Sequence, residues 1–109
     1  YELKETDNDV DFPDSVGMIA DWRKRGMVYE IPYRSLYSKK LGNVISAGRC
    51  ICTDDGMWDI SRVIPPCAVT GEAAGTAAAM TTDFGELSYE RLAKRLRRQG
   101  QKLKISEIE

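Results

Sequence analysis

The sequence contains no histidine. That absence removes serine–histidine–aspartate and cysteine–histidine catalysis, and with them most zinc sites. Cysteine is scarce and odd in number: Cys50, Cys52 and Cys67. An odd set with no even framework argues against a secreted disulfide scaffold. Cys50 and Cys52 stand one residue apart, a poor spacing for an unstrained bridge. The plain reading is three reduced, partly buried thiols. The sharper reading is a Cys-x-Cys metal or redox site, which would need carboxylates to complete it.

Long apolar runs are also missing. The 20-residue stretch 63–82 holds Glu72, four threonines and two prolines. It is too weakly apolar to be expected to enter a membrane. Neither the G-x-G-x-x-G dinucleotide fingerprint nor the phosphate-loop lysine motif occurs, so the chain carries no recognisable pyrophosphate site. Net charge is -1, from 16 basic and 17 acidic side chains. That balance disfavours a general nucleic-acid binder, whose field would be positive.

With 109 residues and 42% hydrophobic content, the chain is expected to fold as one small unit with a modest core. The first fourteen residues carry six acidic groups against one lysine. They read as an acidic flexible arm. Residues 15–21 predict a short strand, followed by a turn at Gly26. Residues 27–36 are rich in β-branched and aromatic residues and predict a second extended segment, broken by Pro32. A hairpin of 15–21 with 27–31 follows from that spacing.

Residues 39–43 predict a polar turn. Residues 43–47 form a short continuous apolar run, the pattern of a parallel strand covered on both faces. Residues 49–61 read as a loop with Asp54, Asp55 and Gly56 at its tip. The alanine-rich stretch after Pro65 and Pro66 predicts a helix near 65–83. Small residues recur along it at Gly71, Gly75 and Ala79, and such a row lets a backbone or a flat ligand come close. Ser88, Leu87 and Leu92 mark the start of a second helix near 88–99, stopped by Gly100.

Candidate chemistry is thin. The start of the long helix offers a partial positive charge and the amides of Val63, Ile64 and Cys67, which suit an anion or an electron-rich ring oxygen. An ordinary solvated helix start is the competing reading. Asp54, Asp55 and Asp59 fit a solvated turn better than catalysis or metal binding. Seven of the 16 cations fall between Arg91 and Lys104, which reads as a solvated helix face or else a phosphate or partner surface. Trp22, Trp58 and the tyrosines are expected in the core or at an interface.

Four segments together resemble the C-terminal end of a family of bacterial FAD-dependent oxidoreductases. They are YEIPYRSL at 29–36, NVISAGRCI at 43–51, RVIPPCAVTGEAAGTAAAM at 62–80 and LAKRLRRQG at 92–100. The resemblance covers about residues 15–100. It implies a mixed α/β piece of a Rossmann-type FAD domain, with residues 15–109 as its C-terminal segment. The last parallel strand would be Asn43–Ala47, followed by a helix whose N-terminus faces the flavin. The resemblance implies that Gly48 and Arg49 lie beside the ribityl and pyrophosphate part of FAD. It places Ser61, Arg62, Val63 and Ile64 near the flavin ring. It implies no catalytic residue and no metal.

A chain that begins at Tyr1 and lacks the glycine fingerprint is expected to be part of a longer cytoplasmic flavoprotein. By itself it is then expected not to hold FAD or turn over substrate. The expected partners are the remainder of the FAD-binding domain and, when that is absent, further copies of the chain, with no nucleic acid and no membrane. The competing view is a small stand-alone α+β interaction module without a cofactor.

Overall fold

The computed structural model describes residues 1–108. Two antiparallel hairpins and three helices form a mixed α/β fold. Strands β1 (Ser15–Ala20) and β2 (Val28–Pro32) make the first hairpin, β3 (Tyr37–Ser38) and β4 (Leu41–Ile45) the second. Helix α1 spans Asp55–Ser61, α2 spans Ile64–Met80 and α3 spans Tyr89–Arg98.

The β1–β2 hairpin pairs Ala20 with Val28, Ile19 with Tyr29 and Met18 with Glu30, as the spacing predicts. Its turn closes through Asp21 N–H donating to Met27 C=O at 3.0 Å. Gly26 sits at φ +87 there, a left-handed conformation that favours glycine. The Asp21 carboxylate is buried in this turn and accepts from the Arg23 amide at 2.8 Å and its Nε at 3.2 Å. Those bonds from Arg23 hold the carboxyl below its ordinary range. The second extended segment does not run to residue 36. Pro32 ends β2, and Tyr33–Ser35 form a 3-10 turn before the chain re-extends.

Helix α2 explains how the core closes. Pro66, Thr70, Ala73, Ala74 and Ala77 are its buried residues, at the spacing of one helical face. That face meets β1, where Gly17 lies at an irregularity in the strand register. A Cβ added at Gly17 would stand 2.3 Å from Val69 Cγ1, so glycine is what lets the helix approach the strand. Leu92, Ala93 and Leu96 of α3 and Phe84 complete the packing with Tyr29, Ile31 and Tyr33. Helix α2 ends at Met80 rather than near residue 83. Thr81 turns extended there, and its hydroxyl accepts from Asp83 N–H at 3.1 Å. Ser88 does precede α3, but its side chain makes no capping hydrogen bond. Gly100 follows at φ +93 and stops the helix.

Three expectations are corrected. The acidic segment 1–14 is not a free arm. Leu3 and Phe12 are in the core, and Leu3 exchanges backbone hydrogen bonds with Cys52 C=O at 3.0 Å and Asp54 N–H at 2.9 Å. Glu30, buried on β2, accepts from Phe12 N–H at 2.9 Å, Ile105 N–H at 2.9 Å and Lys104 Nζ at 3.3 Å. One carboxylate therefore clamps both terminal segments.

Residues 43–47 are not a covered parallel strand. They belong largely to β4, which pairs antiparallel with β3 and is mostly exposed, Leu41 and Val44 about half so. A continuous apolar run signals two covered faces; here Ile45 packs against the core while Val44 stays exposed, so only one side is covered among the described residues. Residues 49–61 are not all loop. Asp54 is the N-cap of α1 and accepts from Met57 N–H at 2.9 Å. The same carboxylate accepts from Glu5 N–H at 3.2 Å.

Candidate functional site

The site begins where the chain leaves β4. Gly48 adopts φ +62, which turns the chain into a single 3-10 turn, Gly48–Cys50. Its N–H donates to Thr70 Oγ1 at 2.8 Å. Thr70 donates in turn within α2, to Pro66 C=O at 3.0 Å. The turn is thereby fastened to the first part of α2. A Cβ at Gly48 would meet Cys67 Sγ at 3.6 Å, an ordinary contact, so the glycine answers to backbone conformation rather than to space.

The other wall comes from the junction of α1 and α2. Ser61 ends α1, Arg62 keeps helical backbone as its C-cap, and Val63 turns extended as the N-cap of α2. Prolines follow at 65 and 66, inside the first turn where no intrahelical donor is needed. They leave Ile64 as the only residue of 64–66 with an amide to offer. The Cys67 amide, expected among the available donors, is spent on Val63 C=O at 3.2 Å. The helix start therefore presents two amides, those of Val63 and Ile64, together with its dipole.

The structure brings the six predicted residues into one neighbourhood. Arg62 Nη1 donates to Arg49 C=O at 3.3 Å, joining the glycine turn to the helix junction. Cys67 Sγ donates to Ser61 C=O at 3.9 Å from the same junction. Ile64 is 85% exposed, so its side chain faces outward. The Ser61 hydroxyl does not: Ser61 is buried and donates to Trp58 C=O at 3.3 Å. Ser61 contributes backbone to this corner, not a hydroxyl.

Trp58 is the residue the sequence reading missed. The Arg62 guanidinium lies over its ring at 4.3 Å, a cation–π contact that orients the arginine. The four-residue spacing signals this pair only once 55–61 is known to be helical. Trp58 is 55% exposed, and Trp22, whose Nε1 donates to Asp59 C=O at 3.4 Å, is also exposed. Neither is a core residue.

Other features stand apart. The outward row Gly71, Gly75, Ala78 and Ala79 on α2 is exposed, and a Cβ at Gly71 or Gly75 would meet nothing within 4 Å. The expected close packing of that row is not made within the chain; the opposite, alanine-lined face packs instead. Arg91 and Arg95 border the shallow groove between this row and α3. The cationic stretch divides: Arg97 pairs with Glu107 at 2.6 Å and Lys104 with Glu30 at 3.3 Å, while Arg91, Lys94, Arg95 and Arg98 face solvent. Among the described residues no three histidine, cysteine or carboxylate side chains gather to hold a metal ion. Among them, too, no helix is long and apolar enough to cross a membrane.

A glycine turn is thus tied to the start of a long helix in a mixed α/β protein, with two arginines and an exposed aromatic ring beside it. The model of the family described as FAD dependent oxidoreductase matches residues 4–97, and the chain belongs to that family. No curated protein and no solved structure matches the chain.

Proposed function

We propose that this chain is the C-terminal part of an FAD-dependent oxidoreductase and supplies the flavin-side corner of its Rossmann-type cofactor domain. The observation that supports this reading most is the joining of Gly48–Arg49 to Arg62–Ile64. Two segments thirteen residues apart in sequence meet through the Arg62–Arg49 hydrogen bond at 3.3 Å, at the start of the one long helix.

The donor set fits the cofactor. Gly48, at φ +62, makes the turn that brings Arg49 to the helix junction. Arg49 and Arg62 offer cations toward phosphate or carbonyl oxygens. The Val63 and Ile64 amides and the dipole of α2 favour negative charge at the helix start by about 0.3–1 kcal/mol. Trp58 and Ile64 give flat and apolar surface beside a ring. FAD, when bound, supplies the electron and hydride transfer. The chain holds the ring edge and biases its charge.

The exposed row on α2 and the uncovered face of β4 then meet the rest of the cofactor domain, which carries the glycine fingerprint absent here. Without that remainder the chain is expected to bind no FAD and to self-associate through the same faces.

The test is made on the native gene product, captured from source cells with an antibody to this chain. It is expected to be longer than 109 residues, to show a flavin spectrum, and to lose reduction potential on Ile64→Glu. A carboxylate there would repel the anionic reduced ring. A flavin-free product, or a potential unmoved by that substitution, would overturn the assignment.

A further inference from the structure

Helix α3 turns Leu92, Ala93 and Leu96 into the core. Arg91, Lys94, Arg95 and Arg98 are exposed on its other side, at the steps of three and four residues that make one helical face. These four cations and Met80 line one shallow depression of about 250 Å³. The ion pairs among the described residues take Arg23, Lys24, Arg34, Arg97 and Lys104, and none takes a cation of this face. Glu72 on α2 does not answer it, being held by the Gln99 amide at 2.9 Å and also by Gln101. Glu90 stands one turn before Lys94 without pairing with it. Cations in the last turn suit the negative end of a helix, and Arg95, Arg97 and Arg98 fall there. That accounts for neither Arg91 nor Lys94, which lie earlier. Like charges at these spacings repel and weaken the helix, and a bound anion would relieve them.

We propose that this face docks a short acidic peptide segment of a partner protein, with its carboxylates seated among the four cations. Three of the four are arginines, whose planar fork takes a carboxylate through two parallel hydrogen bonds. Arg91 and Arg95, one turn apart, stand about 5–6 Å from each other at Cβ. Alternate side chains of an extended segment lie about 7 Å apart on one side, so two of its carboxylates reach both arginines. Met80 offers apolar surface to the carbon stems of those acids.

Phosphate-bearing partners fit less well. No aromatic side chain lines the depression or the adjoining groove with Gly75, Thr76, Ala79 and Gln99, so a nucleic-acid base has nothing to stack on. The apolar side of α3 is in the core, so the helix has none to lay into a lipid surface. With a net charge of -1 over the whole chain, the part outside this face is acidic and repels an extended polyanion. A short segment that touches only this face avoids that repulsion. The face does not depend on the flavin reading.

The experiment is fluorescence anisotropy of a fluorescein-labelled glutamate-rich peptide titrated with the full chain at low salt, with circular dichroism to confirm folding of each variant. Saturable one-to-one binding is expected, weakening as salt rises. Arg91→Glu combined with Arg95→Glu is expected to weaken it about tenfold or more, through the loss of two charge-assisted contacts. Lys39→Glu combined with Lys40→Glu makes the same change of net charge at the exposed turn between β3 and β4. That variant is expected to bind within about twofold of the original. Oligothymidylate and phosphatidylserine vesicles are the competing probes, and both are expected to bind more weakly than the peptide. No binding of the peptide, an equal loss in the lysine variant, or tighter binding of either competing probe would overturn the proposal.

Discussion

Thr70 Oγ1 accepts the Gly48 amide at 2.8 Å while donating to Pro66 C=O at 3.0 Å. One buried hydroxyl thus couples the turn after β4 to the start of α2, and it holds the two halves of the candidate site in register. Thr70→Val keeps the shape and removes both bonds. It is expected to cost about 1–3 kcal/mol, because a polar amide loses its partner. Urea unfolding measures the loss, and amide exchange at Gly48 is expected to quicken more than at β1.

Gly17 and Val69 set the spacing of helix and sheet. Gly17→Ala places a methyl 2.3 Å from Val69 Cγ1, and a β-branched side chain on a helix has little freedom to move aside. The expected cost is about 1–3 kcal/mol from overpacking. Gly17→Ala combined with Val69→Ala is expected to recover part of it. A strictly additive double mutant would show that the two residues do not meet in this way.

Glu30 joins the ends of the chain. Glu30→Ala leaves the amides of Phe12 and Ile105 without their acceptor and removes one of the two carboxylates on the Lys104 ammonium, Asp11 remaining. A loss of roughly 3 kcal/mol or more is expected from breaking a buried charged cluster. Limited proteolysis reads the consequence directly. New cuts are expected within residues 1–14 and after residue 100, with the β1–β2 hairpin still protected.

Tyr33 is buried, and its hydroxyl donates to Phe84 C=O at 2.9 Å. Burial pushes its phenol up to about 12. A folded-state value above the unfolded one means that the native chain keeps a proton the unfolded chain gives up. That stabilisation is whole below pH ~10 and falls away as pH rises toward 12. Stability is therefore expected to decline across this window, and less steeply in Tyr33→Phe. Absorbance titration of phenolate is expected to show that variant losing a late-ionising tyrosine.

The row on α2 gives opposite expectations in two settings. In this chain Gly75→Ala meets open space, so it is expected to stabilise by about 0.5–1 kcal/mol through helix propensity. In the proposed longer flavoprotein, Gly71→Trp and Gly75→Trp are expected to abolish the flavin spectrum by holding the rest of the domain away. Retained flavin would end the packing role assigned to that row.

Local chemistry made much of this legible from sequence. The first hairpin follows from β-branched residues on either side of a glycine turn. Helix α3 follows from leucines at helical spacing, and the start of α2 from paired prolines before alanines. The family was legible too, through four ordered motifs. The rest depended on partners distant in sequence. Asp54 reads as a turn residue until Met57 and Glu5 are seen donating to it. The acidic run at 1–14 reads as solvated because neither its contact with Thr53 and Cys52 nor the Glu30 clamp is written locally. Residues 43–47 read as covered because an apolar run reports how much surface wants burial, not what is present to bury it. Composition and spacing determine what each segment can become; only the tertiary structure decides which faces find a partner, because burial is a property of pairs of segments and not of either one.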